Sequence, residues 1–169
     1  MSLNNLGILL SALGRCEDAL KPSEDASDLC RKLAASNPQA FLPNLVASLN
    51  NLGILLSALG RREEALAPSE EAVAICRKLA VSNPQAFLPD LAMSLGGYGS
   101  ILQAMERNAQ AARAFAEGLQ HLAPFYRDLP QAHSRVGNGL VQGYLQVCRK
   151  AVLEPDAALL SQFAGLSQI

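Results

Sequence analysis

Three kinds of side chain in this sequence could do chemistry: cysteine thiols, histidine imidazoles and paired carboxylates. Each of Cys30, Cys76 and Cys148 precedes an Arg-Lys pair, and neighbouring cations can lower the pKa of a thiol. Cys30 and Cys76 also follow the apolar rhythm of a helix, which favours small core residues over reactive thiols. The two histidines, His121 and His133, stand near no serine or cysteine in a pattern that indicates a triad. These patterns predict a protein that is not an enzyme.

The same side chains also fail to form a recognisable metal or cofactor motif. The four cysteines lie far apart, without C-x-x-C or Cys/His ligand spacing. The glutamate pairs at 63–64 and 70–71 have arginines nearby, which is typical of a solvated helix face rather than of paired catalytic acids. We therefore expect no metal and no cofactor. Cysteines used in this way also predict a reducing compartment, so we expect a cytoplasmic protein.

A repeated sequence supplies the elements that carry these residues. The stretch that begins SLNNLGILLSALGR at Ser2 returns from Ser48, and the two copies agree at roughly three quarters of about 46 positions. A more divergent third copy begins at Ser94. We divide the chain into repeats of about 2–47, 48–93 and 94–139 within one domain, 1–169. A fixed period of this length predicts stacked helical units that bury their apolar faces against their neighbours.

Each copy predicts two helices that pair closely. In the second copy a leucine-rich helix ends at Gly60, and a second helix follows from Arg61. We expect Gly53 of the first helix to meet Ala65 and Ala72 of the second, because small residues let helix axes approach.

The prolines predict where helices break or bend. Pro22 and Pro68 fall inside second helices, where we expect a mild kink because the apolar rhythm continues through them. Asn83-Pro84 is expected to break the helical structure after the second helix, and Pro89-Asp90 is expected to begin the next helix.

The remainder of the chain, from about Pro130, departs from the repeat. Residues 136–151 read as a helix, and Pro155-Asp156 opens a last amphipathic helix that extends through Leu166. Because a terminal unit must cover the exposed end of a repeat array, residues 130–169 are the predicted C-terminal cap.

Composition excludes two classes of partner from the prediction. Half of the residues are hydrophobic, only 17% are charged and the net charge is -1. A nucleic-acid-binding protein would show a basic excess or stripe, so we expect no nucleic-acid partner. No apolar run approaches the roughly 18 residues that span a bilayer, so we expect no membrane partner.

The spacing of leucine, glycine and alanine resembles a known family. Leu49, Leu52-Gly53, Ala65 and Ala72 stand where the tetratricopeptide repeat has its characteristic residues, although the unit here is longer than usual. The longer unit is similar to the LNNL-type repeats of kinesin light chains. The resemblance implies an all-α fold, a tetratricopeptide-like solenoid of antiparallel helix pairs with a C-terminal capping helix. It also implies a non-catalytic scaffold for protein–protein interaction, with a concave groove lined by the first helices.

The first helices supply the candidate groove residues, because the face opposite their leucines carries no charge. The candidate partner-binding residues are Asn4, Asn5, Ile8 and Ser11 in the first copy, and Asn50, Asn51, Ile54 and Ser57 in the second. By resemblance, Asn5 and Asn51 would hold the backbone of a bound segment. The other interpretation is an internal ladder of hydrogen bonds between repeats. A neutral strip favours a neutral or apolar peptide or an amphipathic helix as the partner.

The third copy and the ends of the array leave further alternatives open. Gly96 and Gly97 replace the asparagines there, either to admit a ligand backbone or, as we favour, to fit a differently packed cap. Near-identical repeats could also stack between chains, which would make the protein a self-assembly module and a homo-oligomer through its repeat ends. Family resemblance alone suggests a sensor or regulatory arm of a larger multidomain signalling protein.

Overall fold

The structure, a computed structural model, describes residues 3–166. Within that range the helices are α1 Leu3–Ala12, α2 Cys16–Ser36, α3 Pro38–Ala58, α4 Arg62–Ser82, α5 Pro84–Ala104, α6 Asn108–Asp128, α7 Pro130–Ala151 and α8 Ala157–Ser161. A 3-10 turn, Ala164–Leu166, follows α8, and this part of the chain contains no strand. The predicted all-α class is confirmed. The predicted start of the first repeat at Ser2 lies outside the described residues.

The chain divides into two compact units, Met1–Cys76 and Arg77–Ile169, called unit 1 and unit 2. In unit 1, α2 packs against both α1 and α3. In unit 2, α6 packs in the same way against both α5 and α7. Small residues make these contacts close, since Ala19 of α2 and Ala111 of α6 are fully buried. The prediction of one domain over residues 1–169 stays a prediction.

Helices α3 and α5 begin at a proline, which places the start of α5 earlier than predicted. Pro38 and Pro84 each occupy the first turn of a helix, and Asn37 and Asn83 cap it by accepting a hydrogen bond from a backbone N–H at 3.3 and 3.2 Å. Proline is favourable in a first turn and asparagine is a strong cap, so together they start a helix. The prediction that Pro89-Asp90 starts the helix is therefore wrong, because Pro89 lies inside α5.

Helices with prolines further along their length also continue without a break. Pro22 lies inside α2 and Pro68 inside α4, and each helix has 21 residues. The predicted continuity of these helices is confirmed.

The repeat extends further than predicted, to the end of α7. Helix α7 starts at Pro130, one period after Pro84, and is 22 residues long against 21 for α5. The prediction that the chain departs from the repeat at Pro130 is wrong, because α7 repeats the position and length of α5 one period later. The turns after α1, α3, α5 and α7 each contain one residue with positive φ, and these residues recur at the repeat spacing: Gly14 (74°), Gly60 (77°), Glu106 (61°) and Val152 (54°).

The C-terminal segment is shorter as a helix than predicted. Helix α8 has five residues, is capped by Asp156 and ends at Ser161, so the predicted helix through Leu166 is interrupted. Within unit 2, α8 packs on α6 and the 3-10 turn packs on α7. Phe163 is fully buried, with its ring centroid 5.0 Å from that of Tyr126. The segment thus covers apolar surface of α6, as expected of a cap.

Helix α3 is a longer apolar segment than the sequence analysis predicted. It is long and apolar enough to cross a membrane by length and composition alone, and it is the one helix of the described chain with that property. The prediction that no segment approaches this length is wrong, because α3 has no charged residue to interrupt it. Of its apolar stretch, 39% is buried inside the protein. Core helices pass the same test of length and composition.

Candidate functional site

A surface depression of about 270 Å³ lies between α1 and α3 of unit 1. Its lining consists of Gly7, Ile8, Ser11, Ala12, Ser23, Asn51, Ile54 and Leu55. Gly7, Ser23 and Leu55 are buried and form the floor. Ile8 and Ile54 are 46% and 56% exposed and form an apolar rim. The lining contains no charged side chain.

The structure brings together four of the eight predicted site residues in this lining: Ile8, Ser11, Asn51 and Ile54. Asn4 joins them through a hydrogen bond, because the Asn51 side-chain N–H donates to Asn4 Oδ1 at 3.0 Å. The lining, as far as the chain is described, does not include the remaining three, Asn5, Asn50 and Ser57.

The hydrogen bond between Asn51 and Asn4 is an internal contact between repeats. The internal interpretation of the asparagines expected such a contact between repeats. The observed pair is offset by one position, because the counterpart of Asn51 is Asn5. An asparagine amide carries two donors and an acceptor, so both side chains keep further hydrogen-bonding capacity. Contact between these asparagines and a ligand stays a prediction.

Unit 2 fills the equivalent space with an aromatic ring. Gly7, Ser23 and Asn51 have Gly99, Phe115 and Gly143 as their counterparts two repeats later. Phe115 is fully buried. A Cβ atom added to Gly99 would lie 3.0 Å from the Phe115 ring, and one added to Gly143 would lie 2.6 Å from it. The ring therefore lies between α5 and α7, where a side chain at Gly143 would overlap it and one at Gly99 would pack tightly against it.

The glycines that replace asparagine in the third copy have different surroundings. A Cβ atom on Gly96 would lie 3.2 Å from Leu140 Cδ2 of α7, which is tight packing. Gly97 has open space at the corresponding position. Packing within the cap thus accounts for Gly96, as the favoured interpretation expected, but does not account for Gly97.

A second kind of cleft follows the second helices of the repeats. In unit 1 it has a volume of about 370 Å³, and Arg31 of α2 and Glu71 of α4 meet there at 2.8 Å. In unit 2 it has about 160 Å³, and the repeat counterparts Arg77 and Glu117 also meet at 2.8 Å. The sequence analysis missed these pairs, although arginine and glutamate recur at the repeat spacing. Such exposed ion pairs stabilise weakly and serve to join neighbouring helices.

The cysteine and histidine side chains considered for catalysis have surroundings that favour a structural role. Cys76 and Cys148 are buried, and burial raises the pKa of the Cys148 thiol, which opposes thiolate chemistry. His121 Nε2 lies 3.7 Å from Glu117, and His133 packs edge-on against Phe125. Among residues 3–166, no three His, Cys, Asp or Glu side chains are grouped so that they could hold a metal ion.

Comparison with known proteins identifies the helices around the depression. The family model for the tetratricopeptide repeat matches residues 1–78, which include α1, α2 and α3. No curated protein matches the chain. Tetratricopeptide repeats are a non-catalytic scaffold class and generally mediate protein–protein interactions. The likeness to kinesin light chains stays a prediction. Residues 1–78 therefore match the tetratricopeptide repeat family.

Proposed function

We propose that the depression of unit 1 binds an uncharged segment of a partner protein, so that the chain acts as a protein-interaction scaffold. The observation that carries the proposal is the pair of exposed isoleucines, Ile8 and Ile54, beside a depression whose lining has no charge. Exposed apolar groups that adjoin a concave, mixed apolar and polar lining are typical of binding sites.

The polar groups of the lining suit a peptide main chain. Ser11 and Asn51 lie between the apolar rim residues, and the hydrogen bond to Asn4 restrains the Asn51 side chain. A restrained amide loses less conformational entropy when it binds. Because no lysine or arginine lines the depression, a partner recognised by its carboxylate fits poorly. A neutral segment with apolar side chains fits better.

A random peptide library selected against the immobilised chain tests this proposal. Peptides from the selection should be predominantly uncharged and should bind the Ile8→Glu/Ile54→Glu variant at least about tenfold more weakly. Val81→Glu provides the matched control, since Val81 is 85% exposed on α4 and should tolerate the charge without loss of binding. Peptides that bind the double variant equally well, or a selection that enriches none, would overturn the proposal.

A second candidate function, self-association through α1, has its own observation. Leu9 of α1 is 52% exposed, whereas its counterpart Leu55 is 3% exposed, since α3 packs against both α1 and α2. Leu3 is likewise exposed and its counterpart Leu49 is buried. Helix α1 carries no charge, so no like-charge repulsion opposes its packing against a second copy.

Sedimentation equilibrium distinguishes this second candidate from the first. The chain should dimerise between about 1 and 300 µM, and Leu3→Asn/Leu9→Asn should make it monomeric without affecting the selected peptides. A wild-type chain that stays monomeric throughout would remove this candidate and leave the first intact.

We also propose a cytoplasmic location. The four cysteines are thiols rather than disulfides, which supports a reducing compartment. Fractionation of the source cells should recover the chain with soluble cytoplasmic markers, and recovery in a secreted or membrane fraction would contradict the location.

A further inference from the structure

We infer that the depression of unit 1 accepts a phenylalanine side chain of the partner, in the place that the Phe115 ring occupies in unit 2. The inference rests on the proposed function and adds the chemical identity of the anchoring residue. Its basis is that each unit contains an equivalent three-helix junction, which is open in unit 1 and filled in unit 2.

The filled junction shows what the space can hold. In unit 2 the Phe115 ring reaches from α6 into the junction of α5 and α7, where Gly99 and Gly143 leave room for it. In unit 1 the counterpart of Phe115 is Ser23, which lacks the ring. Gly7 corresponds to Gly99 and keeps the same close approach, because a Cβ atom there would clash with the Ser23 hydroxyl.

The size of the open junction suits one aromatic ring. Apolar cavities of about 150 Å³ are large enough to bind benzene. The depression has about 270 Å³ and opens to solvent, so a ring and part of the attached main chain fit into it. Asn51 stands where unit 2 has Gly143, at the edge of this space, where its amide can hydrogen-bond the main chain of the entering residue.

The rims of the two junctions support the same conclusion independently. The open junction has an apolar rim, Ile8 and Ile54. Their counterparts at the filled junction are Ser100 and Gln146, which are exposed and polar. At a filled junction, exposed apolar side chains would have no entering group to contact. At an open junction, they can contact an apolar side chain that enters from outside.

The defined probe for this inference is N-acetyl-phenylalaninamide, with N-acetyl-alaninamide as its control. Titration of the isotope-labelled chain, followed by NMR, should shift the amide signals of Gly7, Ser23 and Ile54 with the aromatic probe at least about tenfold more strongly than with the alanine probe. Signals of Gly99 and Gly143 provide the internal control and should not move.

A variant that fills the junction provides the second arm. Ser23→Phe/Asn51→Gly gives unit 1 the side chains of unit 2, and it should abolish the shifts while leaving the helical circular dichroism unchanged. Val81→Phe is the matched control, because it adds a phenylalanine at an exposed position outside the depression, and it should keep the shifts. If the filled variant fails to fold, substitution of phenylalanine by alanine in the library-selected peptides gives the same answer, with an expected loss of at least about tenfold.

The outcomes separate this inference from the proposed function. Selected peptides that depend on Ile8 and Ile54 but share no aromatic residue would overturn the inference and leave the proposed function standing. Equal shifts with both probes would also overturn it. Peptides that do not depend on these isoleucines would overturn the proposed function itself.

Discussion

Unit 1 and unit 2 place the same repeat positions at the junction of three helices and use them differently. In unit 1 the junction has Ser23 on its middle helix and opens to the surface between two exposed isoleucines. In unit 2 the same junction holds Phe115, packed against Gly99 and Gly143. The position of Ser23 thus borders a surface depression in unit 1, whereas the equivalent Phe115 belongs to the hydrophobic core of unit 2.

The difference illustrates how a helical repeat can exchange packing stability for open space at its surface. A buried phenylalanine contributes several kcal/mol, which a buried serine does not replace. Glycines on both sides of the ring accompany this gain, and glycine weakens a helix by about 0.5–1 kcal/mol relative to alanine. Ser23 gives up the packing of a ring and leaves a space that a partner can enter.

The largest effect is expected when unit 2 receives the side chain of unit 1. Phe115→Ser should lower the free energy of unfolding by about 3–5 kcal/mol, because it leaves a cavity at the three-helix junction. Urea denaturation followed by circular dichroism measures the loss. Ser23→Ala in unit 1 is the control and should cost less than about 1 kcal/mol. A loss below that of the control would mean that the ring does not stabilise unit 2.

An added methyl group tests the close approach around the ring. Gly143→Ala should destabilise by about 1–3 kcal/mol, because the Cβ atom would overlap the Phe115 ring. Gly97 is the counterpart of Gly143 one repeat earlier and has open space, so Gly97→Ala should stabilise by about 0.5–1 kcal/mol. Thermal unfolding of both variants checks the contrast. Effects of the same sign would contradict the packing described here.

The turns after α1, α3, α5 and α7 extend the comparison to the backbone. Unit 1 has glycine at its positive-φ positions, Gly14 and Gly60, whereas unit 2 has Glu106 and Val152. A β-branched residue is strained in this region, so Val152→Gly should stabilise by about 1 kcal/mol. The reverse change, Gly60→Val, should destabilise by about 1–2 kcal/mol. Denaturant midpoints give both values, and a destabilising Val152→Gly would contradict the strain.

The smallest effect is expected at Asp90, whose counterpart in the first copy is Asn44. Burial raises the pKa of the Asp90 carboxyl above its ordinary value of 3.8. The folded protein then binds the proton more tightly than the unfolded chain, so its stability falls as pH rises from that value through the raised pKa. Asp90→Asn should therefore be the more stable chain at neutral pH, with an advantage that disappears in acid. Denaturation at pH 3 and pH 7 measures it, and an advantage that grows in acid would contradict the sign.

Much of this arrangement follows from the sequence, because the period fixes which residues are equivalent. The leucine and glycine spacing predicted the paired helices, and the uncharged strip placed Ile8, Ser11, Asn51 and Ile54 together. The break at Asn83-Pro84 was predicted correctly, since α4 ends at Ser82 and α5 begins at Pro84. The start of α5 was placed too late, at Pro89-Asp90, because a first-turn proline there looks the same in the sequence as the one at Pro84.

The contacts between repeats could not be predicted in the same way. The period says that Asn51 corresponds to Asn5, but the observed bond to Asn4 depends on the rotation of α3 relative to α1. The relation of Phe115 to Gly143 was present in the sequence, two repeats after Ser23 and Asn51. Its meaning depends on knowing that three successive helices meet at one junction.

Nuclear Overhauser effects between N-acetyl-phenylalaninamide and the labelled chain test the central claim most directly. The ring protons should give cross-peaks to the methyl groups of Ile8 and Ile54 and to the Gly7 Hα atoms, because the ring lies in the open junction. Cross-peaks confined to other apolar side chains, such as the exposed Leu13, or their complete absence at saturating probe, would contradict the claim.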